Sequence, residues 1–189
     1  IAPSLLTPYV PVGTELDLWS GRHLVSVVGF RFLRTRVLGI PIPFHRNFEE
    51  VNLRFYVRRK ADDGWRRGVV FIQEIVPRAA IAFLARTFYN EPYIALPMAH
   101  RIEAESGSLR SAEYFWRFGG QQNNLKLTVQ GEAQPLQAGS EAEFITEHYW
   151  GYNTQCDGAT MEYRVEHPRW RVWDAVSVQL DCNVAELYG

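Results

Sequence analysis

The chain has 189 residues, of which 47% are hydrophobic and 22% charged, and its formal net charge is -1. This length corresponds to a single domain over 1–189 that can bury its own core without a disulfide or a structural metal. The aromatic content of 14% excludes a disordered chain, and the lack of a long apolar run excludes a membrane-spanning helix. Cys156 and Cys182 match no metal or redox spacing, so we expect free thiols in a cytoplasmic protein.

Strand-like segments dominate the first half of the chain. Residues 22–37 are rich in β-branched and aromatic types, and Pro41 and Pro43 end this segment. Residues 49–59 alternate between apolar and polar side chains, which is typical of a strand. A turn at 61–64 and an apolar segment at 66–76 then predict a β-hairpin.

Helices interrupt the strands in a few places. Pro77 precedes the clearest helix, Ala79–Tyr89, in which helical spacing predicts one buried apolar face. The residues of that face are Ile81, Leu84, Ala85 and Phe88. Ser140 followed by Glu143 indicates a capping box for a short helix to about His148, and we expect a first short helix around Ser4–Tyr9.

The pattern as a whole predicts a mainly β domain with one main helix and short flanking helices. Further strands are expected at 97–104, 109–118, 124–131, 159–166 and 170–180. With this many antiparallel strands, a closed or nearly closed barrel is the economical way to avoid exposed edges.

Charge is unevenly distributed along the chain. Residues 31–78 contain eleven Lys and Arg against five Asp and Glu, so this segment is basic. Its densest part, residues 58–67, flanks the acidic turn and is typical of a solvated hairpin tip. No nucleic-acid motif accompanies it, so we do not expect nucleic-acid binding.

The most informative segment is the polar face of the strand at 49–59. This face presents a carboxylate, an amide, a guanidinium and a phenol about 6–7 Å apart, from Glu50, Asn52, Arg54 and Tyr56. If these side chains point into a barrel, the Arg54 guanidinium could bind the carboxylate of a ligand and Glu50 could transfer a proton. The alternative is a solvated outer face, which alternation also predicts.

The returning strand decides which interpretation we favour. It is apolar on both faces except at Gln73 and Glu74, so Glu74 is expected to be an interior carboxylate in need of a partner. Arg54 is the candidate partner.

A second group of polar side chains lies at 146–152. Glu147 and His148 could supply acid–base chemistry, but adjacent strand residues point to opposite faces and so should not touch. The alternative is an aromatic strand start in which Tyr149 and Trp150 pack. Histidines 23, 45, 100, 148 and 167 are dispersed, so neither a metal site nor a cofactor is expected.

Several short motifs, spread over most of the chain in a fixed order, occur together in one bacterial family. They are Val28-Gly29-Phe30-Arg31-Phe32, Phe48-x-Glu50-x-Asn52-x-Arg54-x-Tyr56-Val57, Gly68-Val69-Val70-Phe71, Ala85-Arg86-x-Phe88-Tyr89-x-x-Pro92-Tyr93, Thr146-Glu147-His148-Tyr149 and His167-Pro168-x-Trp170. With these motifs the chain resembles the YqjF-like family, a bacterial domain of unknown function. That family often carries Arg at the position of His148, which argues against proton transfer by this histidine.

The resemblance implies an acetoacetate-decarboxylase-like fold, a cone-shaped antiparallel barrel with an internal cavity and flanking helices. The decarboxylase acts through a Schiff-base lysine whose pKa a neighbouring lysine lowers. That pair would fall near residues 89–92, where this sequence has no lysine, and its two lysines are Lys60 and Lys126. The resemblance therefore predicts the fold without the Schiff-base chemistry.

Two functions follow as hypotheses. In the first, the barrel binds a small organic acid or carbonyl compound, with Glu50 and Glu74 as catalytic candidates. Its ligand-binding candidates are Asn52, Arg54, Tyr56, Glu147 and Tyr149. In the second, the fold is a non-enzymatic scaffold that contacts a partner through the 58–67 hairpin and exposed aromatic side chains. Neither function requires a membrane, and homo-oligomerisation stays open.

Overall fold

The computed structural model describes residues 1–34, 47–165 and 167–188, together with the backbone of the short segments 36–37 and 40–41. Pro43 and His45, which figure in the sequence predictions, lie outside the described residues.

The described chain consists mostly of strands. They are β1 (Glu15–Leu16), β2 (Val25–Phe32), β3 (Arg36–Val37), β4 (Ile40–Pro41), β5 (Phe48–Ala61), β6 (Gly64–Val76), β7 (Tyr93–Ala95), β8 (Met98–Glu105), β9 (Ser108–Phe118), β10 (Gln121–Pro135), β11 (Trp150–Thr154), β12 (Thr160–Arg164) and β13 (Arg171–Asp181). The α-helices are α1 (Pro3–Leu6), α2 (Ala79–Tyr89), α3 (Glu141–Thr146) and α4 (Val184–Tyr188), and a 3-10 turn at Thr7–Tyr9 follows α1.

The strands pair into two main sheets. In the larger, the order β1-β5-β6-β11-β12 is extended by β2, which pairs with β5, and by β7, which pairs with β6. The smaller sheet has the order β13-β10-β9-β8, and β3 pairs with β4 separately. Most pairings are antiparallel as predicted, but β6 is parallel to β7 and β11. The strand ladders do not close into a barrel within the described ranges, so the barrel stays a prediction.

The predicted helices and the hairpin are present. The helix α2 has the predicted bounds, and Ser140 caps α3 because its Oγ accepts from the Glu143 amide at 3.1 Å. The hairpin between β5 and β6 closes at the pair Ala61 and Gly64, and Gly64 adopts φ +120°, which suits glycine.

The predicted buried face of α2 is wrong. The helix buries Ala82 and partly buries Ile81 and Ala85, whereas Leu84 and Phe88 are exposed, Phe88 by 66%. The helix carries apolar side chains on nearly every side, so the spacing of these residues is compatible with more than one buried face. The face that packs against the sheet is the one with the smaller side chains.

The largest core cluster joins the two main sheets. Val51 and Leu53 of β5 contact Tyr114 and Trp116 of β9, and Leu187 of α4 packs against the same cluster. The opposite, polar face of β5 is also covered. At one end α2 packs on Phe48 through Ala82, and at the other Phe144 of α3 packs on Tyr56 and Val69. The central polar residues of β5 therefore lie between two helices and away from water.

Two further predictions concern the whole chain. No helix among the described residues is both long and apolar enough to cross a membrane. Cys156 and Cys182 are free thiols, as expected.

Candidate functional site: a buried glutamate cluster

Neighbouring strands bring two predicted carboxylates together. Asn52 of β5 lies opposite Glu74 of β6, and Glu50 precedes Asn52 by one alternation on the same face of β5. Their side chains are almost fully buried, with exposed fractions of 1% for Glu50, 0% for Asn52 and 3% for Glu74. The polar face of β5 therefore points into the protein, which favours the ligand-site hypothesis over a solvated face.

The segment after α2 supplies a third carboxylate. Asn90 ends the helix in the left-handed conformation, at φ 52°, and the chain then turns back toward the sheet. Glu91 follows and is 5% exposed, and Tyr93 of β7 lies beside Glu74 in the parallel pairing with β6. We call Glu50, Glu74 and Glu91, with Asn52, Tyr93 and Tyr163, the glutamate cluster.

Amide and phenol groups donate hydrogen bonds to two of the carboxylates. Asn52 Nδ2 donates to Glu50 Oε1 and the Tyr93 hydroxyl donates to Glu50 Oε2, each at 2.9 Å. The Tyr163 hydroxyl donates to Glu91 Oε1 at 2.7 Å. Three acceptor atoms in the cluster are buried without a hydrogen-bond partner among the described residues, namely Asn52 Oδ1, Glu74 Oε2 and Glu91 Oε2.

Burial shifts the acid–base equilibria of the cluster. It raises the pKa of Glu50 to about 7, although the bonds from Asn52 and Tyr93 act against it, and it raises the pKa of Glu91 to about 7 as well. Burial, together with the charges of Glu50 and Glu91, holds the pKa of Glu74 well above its ordinary value. The same causes raise the pKa values of Tyr93 and Tyr163. The cluster therefore holds protons at neutral pH and can exchange them there.

Arg54 and Tyr56 lie apart from the carboxylates, toward α3. Arg54 Nη2 donates to the backbone carbonyl of Ile145 at 3.1 Å, and Tyr56 shares a 2.6 Å hydrogen bond with Ser26. The predicted partnership of Arg54 with Glu74 is wrong, since no ion pair joins them in the described structure. The strand register pairs Glu74 with Asn52 and, beyond a bulge, Arg54 with Phe71, and the Arg54 guanidinium is bonded to Ile145 instead.

A second polar group, formed by the buried residues Asp17 and His148 and the partly exposed Arg67, lies beside Tyr56. Arg67 Nε donates to Asp17 Oδ2 at 2.7 Å, and His148 Nε2 lies 3.5 Å from the same oxygen. Burial lowers the pKa of His148, whereas the partners of Asp17 hold its pKa at about 2 in spite of burial. This group joins the N-terminal segment to β6 and to the end of α3.

Glu147 and Tyr149 occupy a third location, near the surface. The Tyr149 hydroxyl donates to Glu147 Oε2 at 2.6 Å, and the Tyr149 ring stacks on His167 with centroids 4.7 Å apart. His148 is buried and no contact joins it to Glu147 among the described residues, as predicted, although both residues precede β11 and lie in no strand. The predicted site residues thus divide among three places, and a single lining that contains all of them is wrong.

The best-formed clefts do not coincide with the glutamate cluster. One, of about 370 Å³, lies at the hairpin tip around Arg59 and Arg66. The other, of about 300 Å³, lies between Leu136 and Trp170. No group of three or more His, Cys, Asp or Glu in the described residues has an arrangement that could hold a metal ion.

Sequence reasoning missed Glu91, Tyr93 and Tyr163 as members of the site. Tyr93 belongs to one of the family motifs, and Glu91 lies two residues before it, directly after the residue that ends α2. That position, together with the resemblance that places the decarboxylase lysine pair near residues 89–92, could have identified Glu91. Tyr163 reaches Glu91 across 72 residues of sequence, and no local pattern indicates this contact.

Comparison with known proteins agrees with this architecture. A family described as an uncharacterized conserved protein, DUF2071, matches residues 1–189. The uncharacterized protein YqjF of Bacillus subtilis is 27% identical over 172 residues, which span 87% of this chain and 66% of that protein.

A solved structure shows the same fold. The structure of acetoacetate decarboxylase from Legionella pneumophila superposes with a TM-score of 0.61 at 16% identity, covering 99% of this chain and 72% of the other. These findings confirm the resemblance to the YqjF-like family that the sequence motifs indicated. The chain belongs to the DUF2071 family of uncharacterized conserved proteins, and its fold is similar to that of acetoacetate decarboxylase.

Proposed function

We propose that this protein binds a small polar molecule at the glutamate cluster and that the cluster can transfer protons to or from it. The observation that carries this proposal is the burial of three carboxyl groups together, with three acceptor atoms left unpaired. Burying such groups costs free energy, and carboxyl groups with strongly perturbed pKa values cluster at functional sites.

The electrostatics narrow the class of ligand. An organic acid would add a further negative charge beside Glu50, Glu74 and Glu91, and the guanidinium of Arg54 is bonded to Ile145. A carboxylate ligand is therefore disfavoured, and a neutral or cationic one is favoured.

The chemistry we propose does not involve a Schiff base. Lys60 lies over the Trp65 ring, 5.3 Å from its centroid, and Lys126 lies 3.9 Å from Glu113, so neither lysine belongs to the cluster. Glu50 and Glu91 have pKa values of about 7, which suits general acid–base transfer at neutral pH.

A thermal-shift screen tests the binding site. Small carbonyl compounds, alcohols, amines and carboxylic acids would be compared on the wild type, on Glu50→Gln and on Glu113→Gln. Glu113 is a matched control because its side chain is only 13% exposed and it lies outside the cluster. A ligand at 100 times its Kd adds about 2.7 kcal/mol, a shift of roughly 5–10 °C.

We expect a shift in the wild type and in Glu113→Gln that is lost in Glu50→Gln. For a carbonyl compound that binds, deuterium uptake from D2O at the carbon next to the carbonyl would demonstrate proton transfer. A flat response to all four classes would reject the ligand site.

A second candidate function, protein interaction, is favoured by the exposed aromatic side chains of α2. Phe83 is 59% exposed and Phe88 is 66% exposed. The basic hairpin gives less support than expected, because Arg58 pairs with Glu15, and Arg59 and Arg66 both pair with Glu162. Light scattering of the wild type and Phe88→Ser would test this candidate, since only a surface used in self-association changes the measured mass.

A further inference from the structure

The unpaired atoms of the glutamate cluster have one property in common, which is that all are hydrogen-bond acceptors. They are Asn52 Oδ1, Glu74 Oε2 and Glu91 Oε2, each on a residue exposed by 5% or less. Asn52 is the most informative, because it carries no charge and its Nδ2 already donates to Glu50. Its carbonyl oxygen is thus buried and meets no N–H or hydroxyl donor of the described residues, and such an atom costs free energy unless a carboxyl proton or a ligand supplies the donor.

Within the described residues, the cluster also lacks a cation in direct contact with its carboxyl groups. No Lys or Arg of the described chain forms an ion pair with Glu50, Glu74 or Glu91, and the nearest guanidinium on β5, that of Arg54, is bonded to Ile145. The phenols that contact the cluster, Tyr93 and Tyr163, donate their single protons to Glu50 and Glu91. The Tyr93 hydroxyl also lies beside Glu74 and acts to lower its pKa, but Glu74 Oε2 has no hydrogen-bond partner among the described residues. Buried carboxylates without a cation are stabilised either by taking up protons or by binding a cation.

We infer that the ligand of the glutamate cluster is a small organic molecule with a primary ammonium group. Such a group carries three N–H donors and one positive charge, as the lysine side chain does. Those donors equal the unpaired acceptors in number, and the charge offsets that of the carboxylates. The described carboxylates are not arranged to hold a metal ion, so an organic cation suits them better. This inference rests on the proposed function, because it names the ligand class of the same site.

The inference predicts a pH dependence of binding. An ammonium ligand favours ionised carboxylates, so its binding displaces protons from Glu50 and Glu74 on β5 and β6 and from Glu91 after α2. Tyr93 of β7 and Tyr163 of β12 face the same carboxylates and stay protonated, and the positive charge of Arg54 acts on Glu50. Affinity should therefore rise with pH between 5 and 7, by up to about tenfold per unit for each proton released.

Calorimetric titration with propylammonium chloride tests the inference. The wild type would be titrated at pH 6, 7 and 8 in two buffers of different ionisation enthalpy and at constant ionic strength. Trimethylpropylammonium, which has the same charge and no N–H donor, and butanone, a neutral carbonyl compound, are the comparison probes.

We expect propylammonium to bind with proton release, more tightly at higher pH and at least tenfold more tightly than trimethylpropylammonium. Glu74→Gln should weaken this binding at least tenfold and Glu113→Gln should leave it unchanged. If Glu74→Gln does not fold, Glu91→Gln serves in its place.

Several outcomes would overturn the inference. They are equal binding of the two ammonium probes, affinity that falls with rising pH, and equal binding in the wild type and the cluster variant. Binding of butanone alone would overturn the ammonium assignment and leave the proposed function standing. Binding of no probe, together with a flat thermal-shift screen, would overturn both.

Discussion

A glycine and a tyrosine on adjacent strands set the geometry of the glutamate cluster. Gly151 of β11 lies opposite Tyr163 of β12, and a Cβ atom built on Gly151 would lie 2.1 Å from Tyr163 Cζ. The absence of a side chain at 151 lets the ring pass over the strand and bring its hydroxyl to Glu91. Gly151 thereby acts as a positioning residue, since it touches no carboxylate itself.

The substitution Gly151→Ala should therefore displace the Tyr163 ring. We expect a loss of about 1–3 kcal/mol in the free energy of unfolding, because the added methyl group overpacks the contact. The pKa of Glu91 should rise further, because the hydrogen bond from Tyr163 lowers it in the wild type. Urea unfolding measures the first effect and a carboxyl NMR titration the second.

A double-mutant cycle provides the control. In a Tyr163→Ala background the same glycine substitution should cost less than about 0.5 kcal/mol, because the ring is gone. An equal loss of stability in both backgrounds would show that Gly151 is needed for its backbone conformation and not to make room for the Tyr163 ring.

At the scale of secondary-structure elements, α2 shows how a correct helix can be assigned the wrong face. Its start after Pro77 and its end at Asn90 are local features, and the predicted bounds are confirmed. Its buried face depends on Phe48, which belongs to a strand distant in sequence, as well as on Val76 at the end of β6. Because the helix carries apolar side chains almost all round, periodicity alone could not select the face.

Two substitutions in α2 distinguish the observed face from the predicted one. Ala82→Leu should cost about 1–3 kcal/mol, since Ala82 is 1% exposed against Phe48 and Val76. Phe88→Ala should change stability by no more than about 0.5 kcal/mol, as surface substitutions usually do. Chemical denaturation measures both, and a larger loss for Phe88→Ala would favour the face predicted from the sequence.

At the scale of the whole molecule, the buried carboxyl groups link stability to pH. Glu50 and Glu91 have pKa values of about 7 in the folded protein against an ordinary 4.5, and the shift of Glu74 has the same sign. Between pH 4.5 and pH 7 the folded state therefore binds more protons than the unfolded state. The stability that these carboxyl groups contribute is lost as pH rises from about 4.5 to 7. His148 opposes this trend, because its lowered pKa makes the folded state bind fewer protons below 6.5.

Three carboxyl groups outweigh one histidine, so the free energy of unfolding should fall from pH 5 to pH 8. Asp17 does not alter this window, because its pKa of about 2 makes its contribution vanish only in stronger acid. Glu91→Gln should show a shallower fall and greater stability than the wild type at pH 8. Urea unfolding at four pH values measures both curves, and parallel curves would contradict the assignment.

The local features of this protein could be predicted from short stretches of sequence. Strand alternation identified the face of Glu50, Asn52, Arg54 and Tyr56, and the apolar returning strand identified Glu74 as an interior carboxylate. The capping box at Ser140 and the hairpin at 61–64 were equally local. These features can be predicted because hydrophobic periodicity, turn residues and helix capping depend on residues a few positions apart.

The folded structure was needed to show which polar residues share a site. It brought Tyr93 to Glu50 across 43 residues and Tyr163 to Glu91 across 72, and it paired Glu74 with Asn52 while Arg54 bonded to Ile145. It also separated Glu147 and Tyr149 from the carboxylates. The physical reason is that burial, pKa and hydrogen-bond pairing depend on neighbours in space, and no period in the sequence encodes which distant strands become neighbours.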